Sequence, residues 1–336
     1  MLTRRHAIGL AIAAAVVNGC KSTGLYSGPR RVERPYRVIA EGLRFPEGPI
    51  ATSESIVYVS EIAKGCITRI GPDGRKDAVA CVGGAPNGLA FGPDGWIYNC
   101  NGGGFAWREA DGLLLPAGPA ETNVGGWIER IQPETGEREI IYEAANGRRL
   151  RAPNDIVFDN HGGFWFTDTG VSTQKLKVQG GLYYARNDGS AVNEVVYPLD
   201  RPNGVGLSPD GKTVYVALTT VRDLLAFSVT SPGVIEGGPS QPGKVLASFK
   251  AHGMIDSLAM EANGNICVTP CVDDPGIAVV SPQGHVLEHI PLPDIATTNL
   301  TFGGKNQSKA YVTQSSTGKM LEIDWPRAGL KLPYSI

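Results

Sequence analysis

A short polar tripeptide, an apolar run, a glycine turn and a second apolar run recur along this chain in one fixed order. The recurrence predicts an all-β protein, a six-bladed β-propeller. The clearest copy is Arg151 to Gly170: Pro153 and Asn154-Asp155 end a loop, Ile156-Val157-Phe158 runs apolar, His161-Gly162-Gly163 turns, and Phe164-Trp165-Phe166 runs back. Two further copies match closely, Pro86-Asn87-Gly88 before Leu89-Ala90-Phe91 and Pro202-Asn203-Gly204 before Val205-Gly206-Leu207; looser ones begin at Pro46-Glu47-Gly48, Ile255-Asp256-Ser257 and Thr298-Asn299-Leu300. The markers Glu47, Asn87, Asn154, Asn203, Asp256 and Asn299 stand 40 to 67 residues apart, roughly the length of a four-stranded blade. The 44 Gly and 24 Pro fall at the turns between short apolar runs, as an all-β chain requires.

With 336 residues, 42% of them hydrophobic and 19% charged, the chain has the composition of a globular protein with a large core. A net charge of -2 provides no basic field, so nucleic acid is not an expected partner.

In chain order, residues 1–20 are set apart from the fold. Thr3-Arg4-Arg5-His6 precedes an Ala-rich run, Ala7 to Val17, which is too short for a stable membrane span and has no polar face for a buried helix. It reads as an export signal, and the Arg4-Arg5 pair resembles a twin-arginine signal. Val17-Asn18-Gly19-Cys20 resembles a lipoprotein cleavage site, with Asn18 an uncommon residue there, so Cys20 is the candidate lipid anchor of a periplasmic or secreted protein. Residues 21–35 are expected as a flexible tether, and 36–336 as the propeller.

Within the propeller each inner pair is followed by an outer pair with its own turn. The third strands are expected at Cys66 to Ile70, Trp127 to Ile131, Leu182 to Tyr184, Leu224 to Phe227, Ile277 to Val280 and Lys319 to Ile323. Tyr36 to Ala40 pairs with the last blade and closes the ring, which removes exposed sheet edges. Gly102 to Gly126 falls in the longest interval and reads as a loop over one face, a candidate lid. Cys66, Cys81, Cys100, Cys267 and Cys271 are expected mainly as buried thiols, with a disulfide left open by an oxidising compartment. A closed ring without an evident apolar patch is expected to be a monomer.

The first strand of every propeller blade lines the central channel, so residues at equivalent positions converge. A single PNG or PND is ordinarily a turn whose Asn caps its own backbone, but recurrence in register points to a shared role. Glu47, Asn154, Asn203 and Asp256 together offer two carboxylates and two amide carbonyls, all hard oxygen donors. That set suits calcium, magnesium or manganese better than zinc or copper, with calcium first and zinc or iron kept as alternatives, and its two charges match a divalent cation. Unsatisfied, such groups in one channel would cost several kcal/mol, on the order of the desolvation penalty of buried polar groups.

The motifs PEGP at Glu47, RAPND at Asn154, RPNGVGLSPDGKTVYV at Asn203, IDSLAMEANGNICVT at Asp256 and TTNLTFGGKNQSKAYVT at Asn299 resemble the gluconolactonase and regucalcin (senescence marker protein) family. The resemblance runs from Tyr36 to the end of the chain, and paraoxonase and diisopropylfluorophosphatase are more distantly similar. It implies a six-bladed propeller with a divalent metal at the top of the channel and a small-molecule substrate, mostly a sugar lactone. Glu47, Asn203 and Asp256 match its metal ligands, and Asn154 matches a position that binds metal or substrate. Asp256 is then the candidate base that activates water, and Glu47 a charge-bearing ligand. Arg151 resembles a substrate-binding arginine displaced by one residue, with a surface arginine as the alternative. Asn87 either bonds substrate hydroxyls or caps its blade. Ser257, where sugar lactonases often have Gly, is expected to narrow the pocket beside Asp256.

His161 and His285 are expected at the surface; for His252, four residues before Asp256, the pocket rim is kept only as an alternative. The chain has neither a GxSxG elbow nor a GxxxxGKS phosphate loop. The reading is therefore a metal-dependent lactone hydrolase. Its alternatives are a related propeller acting on phosphotriesters or larger esters, a metal-free condensing or lyase-type propeller, and a noncatalytic ligand-binding propeller.

Overall fold

The computed structural model describes residues 29–173, 177–250 and 253–336, and it forms a six-bladed β-propeller. The export signal, residues 21–28 of the tether and His252 lie outside the described residues. Blade 1 comprises Pro46–Ala51, Val57–Glu61, Cys66–Ile70 and Lys76–Cys81, from the axis outward. Blade 2 comprises Pro86–Phe91, Ile97–Asn101, Trp127–Ile131 and Arg138–Tyr142; blade 3 comprises Pro153–Phe158, Gly163–Asp168, Gly180–Arg186 and Val192–Leu199. Blade 4 comprises Pro202–Leu207, Thr213–Leu218, Asp223–Ser231 and Lys244–Ser248; blade 5 comprises Met254–Met260, Ile266–Cys271, Gly276–Val280 and Val286–Pro291. Blade 6 takes Thr297–Gly303, Lys309–Gln314 and Lys319–Asp324 from the C-terminal part of the chain, and its outer strand, Tyr36–Ala40, from the N-terminal part. Each expected third strand occupies the third place in its blade.

Alternating apolar residues on both faces of each sheet give six buried clusters, one between each adjacent pair of blades among the described residues. Trp165, Phe164 and Phe166, successive residues of one strand, divide between the clusters on its two sides and are almost wholly buried. Each such side chain stabilises by about 2–3 kcal/mol through its removal from water.

Three expectations are corrected. The tether is fixed from residue 30: Arg30–Arg31 adds as a parallel strand to the outer edge of blade 5, and Arg30 and Arg34 both pair with Glu288. The Gly102 to Gly126 insertion is not an irregular loop but a β-hairpin, Phe105–Ala110 with Leu113–Pro119. Its apolar residues dock it: Trp107 packs on Phe45 at 5.0 Å between ring centres, and Leu114 is buried with Phe45, Ile62 and Ala85. Finally, Cys66 and Cys81 face each other across the outer pair of blade 1 and form a disulfide, while Cys100, Cys267 and Cys271 are buried thiols.

The register of the inner strands positions everything that follows. Pro153 faces Asp168, yet Ile156 faces Phe166, so the inner strand advances three residues while its partner advances two. That extra residue is a β-bulge, and all six inner strands carry it at the same place. Counting from the residues before the bulge, Pro46, Pro86, Pro153, Pro202, Ile255 and Thr297, the next position holds Glu47, Asn87, Asn154, Asn203, Asp256 and Thr298. The sixth marker is thus Thr298; Asn299 lies one residue on, at the position of Gly48, Gly88, Asp155, Gly204 and Ser257.

The bulges pack edge to edge around the axis. A Cβ on Gly48, which has φ of 53°, would stand 2.1 Å from the carbonyl oxygen of Asn87 in the next blade. Hydroxyls on the second strands latch neighbouring blades together: Ser60 Oγ donates to Asn87 O at 2.6 Å, Thr167 Oγ1 donates to Asn203 O, and Thr269 Oγ1 donates to Thr298 O at 2.6 Å. Ser315 Oγ closes the circle with Pro46 O at 2.6 Å. At the far end of the channel, Leu330, Leu332 and Pro333 of the C-terminal segment leave a cavity of about 80 Å³, room for a few waters.

Gly48→Ala is expected to cost about 3 kcal/mol or more, since both the backbone clash and the positive φ oppose it. Gly95→Ala, at φ of 78° in an open turn with nothing within 4 Å, is expected to cost about 1 kcal/mol. Urea denaturation of the two variants checks this, and equal costs would contradict the close approach of the bulges.

Candidate active site

The bulge explains why these residue types stand at one end of the channel. It turns one residue of each inner strand toward the axis, in the order Glu47, Asn87, Asn154, Asn203, Asp256, Thr298, and hydroxyl latches hold four of the six blade junctions. Glu47, Asn87 and Asn203 are buried, whereas Asn154 and Asp256 keep a partly accessible surface. Asp256 takes a hydrogen bond from Asn203 and feels the charge of Glu47, while Asn154 and Asn87 hold the equivalent register positions in their own blades. Among the described residues no cluster of three or more His, Cys, Asp or Glu stands ready to hold a metal, so any cation here depends on the amides as well as the carboxylates.

Glu47 Oε2 accepts from Gly48 N at 2.6 Å and from Asn299 Nδ2 at 3.0 Å, and the Thr298 hydroxyl adds a further bond. Burial nevertheless pushes its carboxyl up to about 7, with the charge of Asp155 adding to the effect. Asp256 is pushed well above the usual carboxylate range, first by burial and then by the charge of Glu47; a hydrogen bond from Asn203 opposes this. Two carboxylates thus share a site that disfavours their negative charge.

A second polar layer lies one residue deeper. Asp155 Oδ2 accepts from Ser257 Oγ at 2.5 Å and from Val205 N at 3.3 Å, and Oδ1 accepts from Ile156 N at 3.0 Å. Burial pushes Asp155 up to about 6. This corrects the role expected of Ser257: its side chain is buried and turned toward Asp155, so it braces the layer beneath the ring and does not narrow the mouth.

Arg151 is held by its backbone. Asp168 Oδ2 accepts from Arg151 N at 2.7 Å, and Oδ1 accepts from Ala152 N at 2.9 Å and Gly170 N at 2.8 Å, which leaves the half-buried Arg151 side chain uncommitted at the start of blade 3. His161 and His285 are exposed in turns, as expected. Sequence reasoning missed Asp155 and Thr298. The signal for Asp155 was present, since it replaces the Gly of the PNG repeats with a carboxylate; Thr298 was hidden because Asn299 beside it imitates the marker.

Ser257→Ala is expected to lower stability by about 1–3 kcal/mol, because Asp155 loses a buried donor. Its divalent-ion affinity and substrate KM are expected to stay within about threefold. Denaturation and steady-state kinetics check this, and a changed KM at unchanged stability would restore Ser257 to the pocket wall.

Residues 45–316 match the family described as the SMP-30/Gluconolactonase/LRE-like region. Among curated relatives, a gluconolactonase of Zymomonas mobilis is 24% identical over 308 residues, covering 82% of this chain and 78% of the relative. The lactonase drp35 of Staphylococcus epidermidis is 27% identical over 258 residues, covering 75% and 69%. Among solved structures, a gluconolactonase of Xanthomonas campestris superposes with a TM-score of 0.69 at 22% identity, covering 89% of this chain and 95% of that one. A calcium-binding regucalcin of Agrobacterium tumefaciens gives a TM-score of 0.69 at 18% identity, covering 91% and 99%.

Proposed function

The chain belongs to the SMP-30/Gluconolactonase/LRE-like family, and from that membership we propose that it is an exported hydrolase that opens a sugar lactone or similar cyclic ester beside a divalent cation. The observation that carries this reading is the ring itself, in which the buried Glu47 and the partly accessible Asp256 both have their ionisation disfavoured by desolvation and, for Asp256, by the charge of Glu47. A divalent cation held by Glu47, Asn154, Asn203 and Asp256 would offset that cost, and the all-oxygen donor set suits calcium best. When bound, the cation supplies a Lewis acid for the lactone carbonyl.

The residues of the chain carry the remaining steps. Asp256, the partly accessible carboxylate, takes a proton from a water whose oxygen adds to the carbonyl carbon; the proton then passes to the ring oxygen as the C–O bond breaks, giving a hydroxy acid. Glu47, fixed by three hydrogen bonds, supplies charge without moving. We assign Asn87 and Arg151 to orienting substrate hydroxyls. Export draws support from the Cys66–Cys81 disulfide, which persists in an oxidising compartment such as the periplasm. Among the described residues no helix is long and apolar enough to cross a membrane; from the lipoprotein-like sequence around it, we propose Cys20 as a lipid anchor.

Asp256→Asn is expected to lower kcat on sugar lactones by about 10²–10⁴-fold while the variant melts as a folded protein. Acid release from a lactone panel, with chelator and then with each divalent ion restored, reads it. An unchanged rate removes the base assigned to Asp256. Inert lactones with stoichiometric ion binding would move the substrate to phosphotriesters or larger esters.

A further inference from the structure

Blade 2 carries a buried charge at a register position where the other five blades carry none. Two places before the residue that faces the start of the inner strand, the second strand holds Val59, Phe166, Val216, Val268 and Val312 in those blades and Asn99 in blade 2. The third-strand residue opposite is Thr68, Tyr183, Leu225, Ala278 or Leu321 in those blades and Glu129 in blade 2. Asn99 and Glu129 are both wholly removed from solvent.

The pair is wired to the channel. Asn99 Nδ2 donates to Glu129 Oε1 at 2.7 Å, and Asn99 Oδ1 accepts from the backbone N of Asn87, a ring residue, at 3.1 Å. In blades 3, 5 and 6 a hydroxyl braces instead the residue after the ring position: Thr167 accepts from Asp155 N, Thr269 from Ser257 N and Thr313 from Asn299 N. The same Glu129 oxygen accepts from Asn101 Nδ2 at 2.9 Å, and Asn101 Oδ1 accepts from Ala85 N at 2.8 Å and from Gly103 N at 3.1 Å. Glu129 thereby ties down both the loop that enters at Asn87 and the root of the 105–119 hairpin. Its Oε2 accepts from Nε of Arg138, whose guanidinium lies 5.5 Å from the Trp127 ring centre.

A buried ion pair adds little to stability that an apolar pair would not, because desolvation of both charges offsets their attraction. Resting on the hydrolase reading of the same site, we propose that Asn99, Glu129 and Arg138 are positioning residues that hold Asn87 for contact with the hydroxyl groups of a polyhydroxylated substrate. The Asn87 amide both donates and accepts, so it can read a hydroxyl in either sense once its backbone is fixed. A carboxylate at the base of the relay makes its hydrogen bonds charge-assisted, and therefore stronger than those of the hydroxyl braces in the other blades. The relay ends on Asn87 and not on a residue assigned to the cation, so its effect falls on substrates with hydroxyls to read.

The double substitution Asn99→Val, Glu129→Leu tests this, since it installs the pair found in blades 4 and 6. With calcium present, kcat/KM is measured on D-glucono-δ-lactone and on δ-valerolactone, which lacks hydroxyls. The chains compared are the wild type, the double variant, Glu129→Gln, and both of these variants in an Asn87→Ala background. The double variant is expected to fold and to melt within about 5 °C of the wild type. Its preference for gluconolactone over valerolactone is expected to fall about tenfold, Glu129→Gln is expected to move the same way, and neither adds more than about twofold once Asn87 is Ala. Amide exchange over residues 83–88 should quicken about tenfold while that over 153–158 stays unchanged. An unaltered preference, losses that add to that of Asn87→Ala, or unaltered exchange in the folded double variant would overturn the proposal. If the double variant does not fold, Glu129→Gln decides by the same criteria. No turnover of any lactone by the wild type, with exchange over 83–88 quickened in the variants, would count against the hydrolase reading and leave the positioning of Asn87 standing.

Discussion

An extra residue in each inner strand, repeated six times and latched by a hydroxyl at four of the six blade junctions, is the constraint on which the rest of this structure depends. Without the bulge, the residue after Pro46, Pro86, Pro153 or Pro202 would alternate into the packing between blades. With it, a polar side chain faces the axis and the following backbone is pressed against the neighbouring blade. Ser60, Thr167, Thr269 and Ser315 satisfy the carbonyls that this irregularity frees, so local loss of ladder hydrogen bonds becomes inter-blade cohesion.

The same geometry creates the electrostatic problem that defines the site. Six equivalent positions converge on one axis, and a carboxylate at two of them, Glu47 and Asp256, is raised in pKa by burial. The second layer adds Asp155, itself raised and satisfied by Ser257 and two backbone amides. Three carboxylates in so small a volume are a poor choice for stability alone, since apolar side chains would fill the space at less cost. The cation proposed for this site would offset that cost.

Much of this was legible in the residues. The repeat gave the blade number, the third strands and the closure of blade 6 by Tyr36 to Ala40, because propeller blades are punctuated by Gly and Pro turns that survive as sequence signals. The ring was legible for five of six blades through PEG, PNG, PND and IDS. It failed at Thr298, where bulge register decides between adjacent polar residues and sequence does not record register. The Cys66–Cys81 pairing was missed because residues fifteen apart meet only through the outer hairpin of blade 1. The docking of the 105–119 hairpin was likewise invisible, since Phe45 and Trp107 lie in different blades and each alone reads as a loop residue.

The central claim is that the ring of Glu47, Asn154, Asn203 and Asp256 is a divalent-cation site. Calorimetric titration of calcium into the chelator-stripped chain, beside a Glu47→Gln, Asp256→Asn double variant, tests it most directly. The account predicts one site per chain, lost in the double variant while the variant remains folded. Absence of binding to the wild-type chain, or binding that survives the double substitution, would contradict it.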